Sequence, residues 1–202
     1  MKQVQQETLF SDGRLKMVQI NELETERLKL RQWGKSDLPH FASLNADPKV
    51  MEFFPNIRTV NESNLLAERL SGLIENNGWG FWAVECKADS NFIGFVGLHN
   101  CESNLPFSPA IEIGWRLARK YWGNGYATEA AKESLNFAFT TLNLNEVVSF
   151  TANNNKKSIA VMRKIGMIDT QRNFEHPNIE DDHPLKEHVL FKITKDQFTS
   201  LS

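Results

Sequence analysis

The residues best suited to chemistry form one short run, Trp122-Gly123-Asn124-Gly125-Tyr126-Ala127-Thr128. Two glycines around one residue let consecutive backbone N–H groups turn into a concave nest, and a helix starting directly after them adds partial positive charge. That combination suits a phosphate or pyrophosphate, with the Thr128 hydroxyl as a further donor. A Walker loop needs Lys-Ser or Lys-Thr after its last glycine, and Tyr126-Ala127 follows here, which argues against triphosphate hydrolysis. A dinucleotide fingerprint wants Gly or Ala where Thr128 stands and an acid at the far end of the next strand, whereas Glu146 falls at the near end. The glycines alone fit equally a tight turn that binds nothing.

Other candidates flank that run. Ala110 to Leu117 alternates Ile111, Ile113, Trp115 and Leu117 on one face against Glu112, Gly114 and Arg116 on the other, so Glu112 and Arg116 are presented together. His176, His183 and His188 cluster among Glu175, Asp181, Asp182 and Glu187. Spacings of seven and five do not bring two imidazoles onto one helix face, which argues against a metal site. This acidic, Pro-broken segment suits instead a wall that favours a cationic amine, and a histidine in it has a natural pKa for a base. Cys86 and Cys101, 15 apart without a second ligand cluster, read as two reduced thiols.

The elements that must position these groups follow from periodicity. Leu28, Leu30 and Trp33 open a strand; Ser36 is expected to cap a helix to about Asp47-Pro48, and Asn61 a second helix ending at Asn76-Asn77-Gly78. Trp79 to Lys87 and Phe92 to Cys101 read as an antiparallel hairpin ahead of the alternating strand. After Gly125, Ala127, Ala130, Ala131, Ser134, Leu135 and Ala138 define a helix with a small-residue face able to pack closely on a sheet. Val147 to Ala152 is a strand, Ser158 to Ile165 a short helix stopped at Gly166, and Val189 to Ile193 a last strand. The irregular stretch Asn173 to Pro184 is long enough to cover a pocket.

Composition bounds the class. The 202 residues suit one domain, and 41% apolar residues with 14 Phe and 5 Trp are ample for a core. A formal charge of -2 supplies no surplus for direct nucleic-acid binding. No stretch matches a membrane span or a signal-peptide core, so a cytoplasmic protein is expected. Residues 1–22 are expected to be a flexible extension, with Met1 or Met17 as the start, and residues 23–202 one domain.

Two motifs add a resemblance. Glu112-Ile113-Gly114-Trp115-Arg116-Leu117, followed by Trp122 to Ala130, resembles the acetyl-CoA motif of the GNAT acetyltransferase superfamily. Asn155-Lys156-Lys157-Ser158 and Lys164-Ile165-Gly166-Met167 are similar to that family's Asn-x-x-Ser and its later Lys-x-Gly-Phe. Both look closest to the Rim-type ribosomal-protein N-terminal acetyltransferases, over about Leu23 to Lys195. Trp122 stands where many members have Gln or Arg, as is frequent in the Rim-like branch, and Met167 is a fair apolar replacement for the common Phe.

The resemblance implies an α+β (mixed α/β) single domain: a central, mostly antiparallel twisted sheet, splayed at an acetyl-CoA cleft and flanked by helices. Acetyl-CoA is the implied cosubstrate. Main-chain groups of Trp115 and Leu117 would hold its pantetheine arm as an added strand would. The loop from Trp122 through Gly123, Asn124, Gly125, Tyr126, Ala127 and Thr128 would take the diphosphate, and Asn155 would fix the arm near its thiol end. Acyl transfer to an amine needs a neutral amine, a polarised carbonyl and a protonated leaving thiolate. Glu112 is nominated as general base, through a water, and Ser158 as the group that hydrogen-bonds the sulfur, with the three histidines as the alternative base. Plainer roles stay open: Glu112 orienting an ammonium or pairing with Arg116, and Ser158 capping its helix. The expected activity is N-acetylation of a primary amine, with a protein N-terminus, a polyamine and an antibiotic as candidate acceptors and a non-catalytic acyl-CoA-binding module as the other class. Monomer and homodimer are both open, and Phe53, Phe54 and Trp33 suit a substrate cleft or a dimer contact.

Overall fold

The computed structural model describes residues 4–9 and 15–201; Met1 lies outside them. In chain order the elements are β1 (Val4–Leu9), β2 (Leu15–Ile20), β3 (Leu23–Glu24), β4 (Leu28–Arg31), α1 (Leu38–Ala46), α2 (Val60–Asn77), β5 (Phe81–Cys86), β6 (Asn91–Asn100) and β7 (Ile111–Leu117). Then come α3 (Tyr126–Thr140), β8 (Glu146–Ala152), α4 (Lys156–Lys164), β9 (Ile168–Asp169), β10 (Phe174–Glu175), β11 (Glu187–Thr194) and α5 (Lys195–Thr199). One sheet runs β10-β11-β8-β7-β6-β5-β4-β3, with β9 also on β11. Every pairing in it is antiparallel except β7 with β8. β1 and β2 pair separately as a ribbon within the stretch expected to be a frayed extension. Ile20 is already buried in the main core, and Asn21 exchanges main-chain contact with Gly78.

Strand alternation divides the core into two layers. Trp82, Val84, Val96, Leu98 and Ile113 face α3, whose Ala130, Ala131, Leu135 and Ala138 let it seat close to the sheet, with Trp82 edge-on to Phe137 at 5.5 Å. The other face carries Ala83, Phe92 and Phe95 against Phe41 and Leu44 of α1 and Ala67 and Leu70 of α2. Glu112 and Arg116 lie on this second face, the one under α1 and α2.

A bulge makes the two layers compatible. The register shifts between Val84 and Glu85, which pair with Gly94 and Phe92, so Ile93 is the extra residue and both it and Val96 reach the α3 side. Gly94 has φ +141, and a Cβ there would collide with the Arg116 carbonyl oxygen and lie 2.8 Å from Leu117 Cα. Glycine is therefore what allows β6 to follow β7 this closely.

Local signals misplaced two helix starts. α1 begins at Leu38, behind a 3-10 turn over Lys35–Asp37, not at a Ser36 cap, because Asp37 is drawn to Arg31 at 2.8 Å and to the Gly34 amide. α2 is capped by Thr59, whose hydroxyl accepts from the Glu62 amide while Glu62 accepts from the Thr59 amide. That reciprocal pair outcompetes the expected Asn61 cap. Its other end, Gly78 at φ 78, is as expected.

Replacing Gly94 by alanine should destabilise the fold by at least about 2 kcal/mol, read as a lower urea midpoint at unchanged slope.

Candidate active site

β7 and β8 run parallel but share a single register pair, Glu112 with Val148, whereas β6 and β7 stay paired over seven residues. Beyond that pair the strands diverge. Ala118 N–H donates to Ile93 and the Ala110 carbonyl accepts from Cys101, so even-numbered residues of β7 bond β6 and the main-chain groups of Trp115 and Leu117 face the opening. The expected splay is therefore present, with a qualification. The Leu117 carbonyl accepts the Trp122 indole N–H at 2.8 Å, which leaves its N–H and both groups of Trp115 along the gap. α3 and α4 start from loops that leave the diverging ends, so two helix N-termini flank one crevice.

The glycine loop has the character that its residues suggested. Gly123 and Gly125 are left-handed at φ 80 and 82; a Cβ on Gly123 would meet nothing within 4 Å, and one on Gly125 would be 3.5 Å from Arg27 Nη2. Among the described residues, no acceptor serves the amides of Gly123, Asn124, Gly125, Tyr126, Ala127 or Thr128; the first helical bond is Glu129 N–H to Gly125. Six free donors on an open concave surface fit a diphosphate.

Two residues that brace this loop were not found from the sequence. Glu129 accepts from the Thr25 hydroxyl at 2.5 Å and from the Arg27 amide and Nε at 3.0 and 2.6 Å. Arg27 Nη1 donates to the Asn124 carbonyl at 3.0 Å, and its guanidinium lies 4.6 Å over the Tyr126 ring. Burial pushes the Glu129 carboxyl up, but the hydrogen bonds from Thr25 and Arg27 bring it below its ordinary value. The sequence signal is slight, because an acid in a first helical turn suits the helix dipole anywhere.

Glu112 stands at the apex of the split. Its side chain retains 20% exposure; burial, then the Glu102 carboxylate, push its pKa up to about 7. Across the strand pair lies His99, Nδ1 to Oε1 3.7 Å, stacked on Phe81 and lowered by burial. The alternative of a Glu112–Arg116 pair is not realised: Arg116 Nη1 donates to Asn45 Oδ1 at 2.7 Å. Burial, then Glu112, push the Cys101 thiol up to about 12, leaving it protonated at neutral pH.

Asn155, not Ser158, caps α4: its Oδ1 accepts from the Ser158 amide at 3.2 Å and its Nδ2 donates to the Thr151 hydroxyl at 2.9 Å. A three-residue gap within Asn-x-x-Ser puts the asparagine outside the helix and the serine at its third position, which is the geometry of a cap. The Ser158 hydroxyl has no partner among the described residues.

The histidines hold turns. Nδ1 of His176 accepts from Asn178 N–H, Nδ1 of His183 from Leu185 N–H, and His188 contacts the Lys186 carbonyl. Burial brings His188 down to about 4 and lowers His176, so both rings are neutral at pH 7. With Phe107, Phe150 and Phe174 they form an aromatic wall, and Phe53 packs where Ile179 and Leu185 meet Ala152. Among the described residues no group of three His, Cys, Asp or Glu could hold a metal, and no helix is long and apolar enough to cross a membrane.

The model of the acetyltransferase (GNAT) domain matches residues 27–168, most of the chain. The chain belongs to the GNAT acetyltransferase family. This acetyltransferase is 30% identical over 146 residues to the protein YkkB of Bacillus subtilis (strain 168), covering 72% of this chain and 84% of that one. It is 28% identical over 188 residues to the FsC-acetyl coenzyme A-N(2)-transacetylase of Aspergillus fumigatus, covering 87% and 77%. A GNAT-family acetyltransferase from Bacillus anthracis superposes with a TM-score of 0.73 over 87% of this chain and 99% of that one, at 22% identity, which speaks for the fold. GNAT acetyltransferases use acetyl-CoA, and the six free amides are the feature here that fits its diphosphate.

Glu129→Ala should weaken acetyl-CoA affinity by about 10-fold in calorimetry, because the loop loses its brace. Glu112 adds a pH signature. Its folded pKa lies above its ordinary 4.5, so the folded chain holds the extra proton and its stability falls as pH rises from 4.5 to about 7. Glu112→Gln should remove that fall, gaining roughly 1–3 kcal/mol over wild type at pH 8 and little at pH 4 in denaturant titrations.

Proposed function

We propose that the protein transfers the acetyl group of acetyl-CoA to a primary amine by direct attack, with Glu112 as general base. The observation that carries this is a carboxylate at the strand split, with no cationic partner within ion-pair distance among the described residues beyond a histidine lowered by burial, and a pKa of about 7. Such a group can take a proton from an ammonium at neutral pH, directly or through a water, and give it up again. When bound, acetyl-CoA supplies the activated acyl group. The free groups of Trp115 and the Leu117 N–H suit its pantetheine amides, and the amides of residues 123–128 suit its diphosphate. Trp122 acts through the Leu117 carbonyl and so shapes the groove. The unengaged Ser158 hydroxyl, beside the start of α4, is available to a leaving thiolate. Asn155, occupied as a cap, orients that serine through its amide. Two acceptor classes fit this chemistry, the N-terminal amine of a protein, which the Rim-type motifs suggest, and a small amine.

A thiol-release assay against peptides with free N-termini and a panel of small amines tests this. CoA release should rise with pH through about 7, following Glu112 ionisation. Glu112→Gln should lower kcat about 100-fold or more while the acetyl-CoA Kd moves little. Equal losses in both would remove the base assignment, and absence of both acetyl-CoA binding and CoA release would end the enzymatic reading.

A further inference from the structure

Four residues beyond Glu112 on the same face of β7, the fold buries a cation that meets no anion among the described residues. Arg116 is 9% exposed, and its Nε has no partner in the interior. Among the described residues its guanidinium makes one hydrogen bond, Nη1 to the neutral Asn45. The rings of Phe54 and Phe95 lie 4.0 and 5.3 Å from its guanidinium carbon. A cation–π contact returns far less than desolvation of a guanidinium removes, so the site is electrostatically incomplete.

A second arginine deepens the deficit. Arg58 also has a buried, unpartnered Nε, and its backbone N–H donates to the Asn45 carbonyl at 3.0 Å, so both arginines converge on one asparagine. Asn45 is fully buried, and its Nδ2 donates to the Ser63 hydroxyl. Among the described residues neither arginine makes an ion pair. The acids nearby in sequence are engaged elsewhere: Glu62 Oε2 takes the Thr59 amide and hydroxyl, and Asp47 takes Arg119 and the Lys49 amide.

With Nη1 occupied, the unused edge of Arg116 is Nε with Nη2, two parallel donors in the geometry that binds a carboxylate in bidentate fashion. We propose that Arg116, with Arg58 beside it, receives a carboxylate of the acceptor, making the preferred acceptor a small molecule that carries both a primary amine and an acid. This rests on the acetyl-transfer reading for the position of the amine. The Cα atoms of Glu112 and Arg116 stand about 13 Å apart along the strand, so amine and acid must be separated by more than the one carbon of an α-amino acid. A dipeptide acid or a longer ω-amino acid spans about 7 Å when extended, and the lengths of the Glu112 and Arg116 side chains cover the remainder. The guanidinium under Phe54 is too enclosed for a folded protein surface, which favours the small acceptor over a protein N-terminus.

Matched pairs that differ only in the acid decide the matter: glycylglycine against glycylglycinamide, and 5-aminopentanoate against its amide. Wild type should favour each acid by at least about 10-fold in kcat/KM, Arg116→Gln should bring the ratio near one, and Arg116→Lys should restore part of it. Equal rates for acid and amide in wild type, or a preference that survives Arg116→Gln, would overturn the proposal, as would an Arg116→Gln loss confined to acetyl-CoA affinity. A turnover-independent arm follows the arginine Nε–H resonances of wild-type protein, with and without CoA, during titration with N-acetylglycylglycine and its amide. Saturable shifts of the Arg116 and Arg58 signals with the acid alone are expected; identical responses to both compounds would sink the proposal even if the variant fails to fold. Acid-specific shifts without any CoA release would instead count against acetyl transfer and leave the carboxylate site standing.

Discussion

Almost everything of functional interest here follows from a sheet that stops pairing halfway. β7 and β8 meet at Glu112 and Val148 and then part, because each must feed a different helix. In most sheets unsatisfied main-chain groups are a liability that a neighbouring strand removes. Here the missing neighbour leaves the polar edge of Trp115 and Leu117 facing a gap, and the N-terminus of α3 beyond adds further unbonded amides. A flexible, amide-bearing, doubly phosphorylated arm is a fitting complement to such a surface, since it can supply the absent hydrogen bonds and the negative charge together.

The second constraint is electrostatic and concerns the face under α1 and α2. Glu112 and Arg116 lie four residues apart on one strand, yet the fold keeps them from neutralising each other. Arg116 is turned toward Asn45 and lies against the rings of Phe54 and Phe95, while Glu112 sits by a histidine that burial lowers. The consequence for chemistry is that the carboxylate keeps a proton affinity suited to exchange near neutrality. An ion pair would have lowered that affinity.

Much of the fold was legible because its signals are local. The glycine run, the small-residue face of α3, the β5–β6 hairpin and the left-handed ends at Gly78 and Gly166 each follow from residues within a few positions of one another. The two-residue strands β9 and β10 were missed because two residues carry no periodicity; tertiary pairing alone defines them. The starts of α1 and α2 were shifted because several residues could cap, and the winner was decided by a reciprocal partner in Glu62 or by an arginine on the preceding strand, Arg31. Within the site, the loop amides and the parity of Glu112 were readable. The brace of Arg27 on Glu129 and the hub at Asn45 were not, since each joins chain segments dozens of residues apart.

That brace has an implication for how the molecule comes into being. Residue 27 leaves the ribosome about a hundred residues ahead of residue 129, and the two meet only once the intervening strands have aligned. The glycine loop is thus shaped by a contact that exists only once β4 and α3 have docked through the strands between them. A chain that stopped short of that docking would have its glycines and its helix start without the Arg27 contact that ties them to the sheet, so the shape of the loop and the closing of β4 onto α3 arrive together.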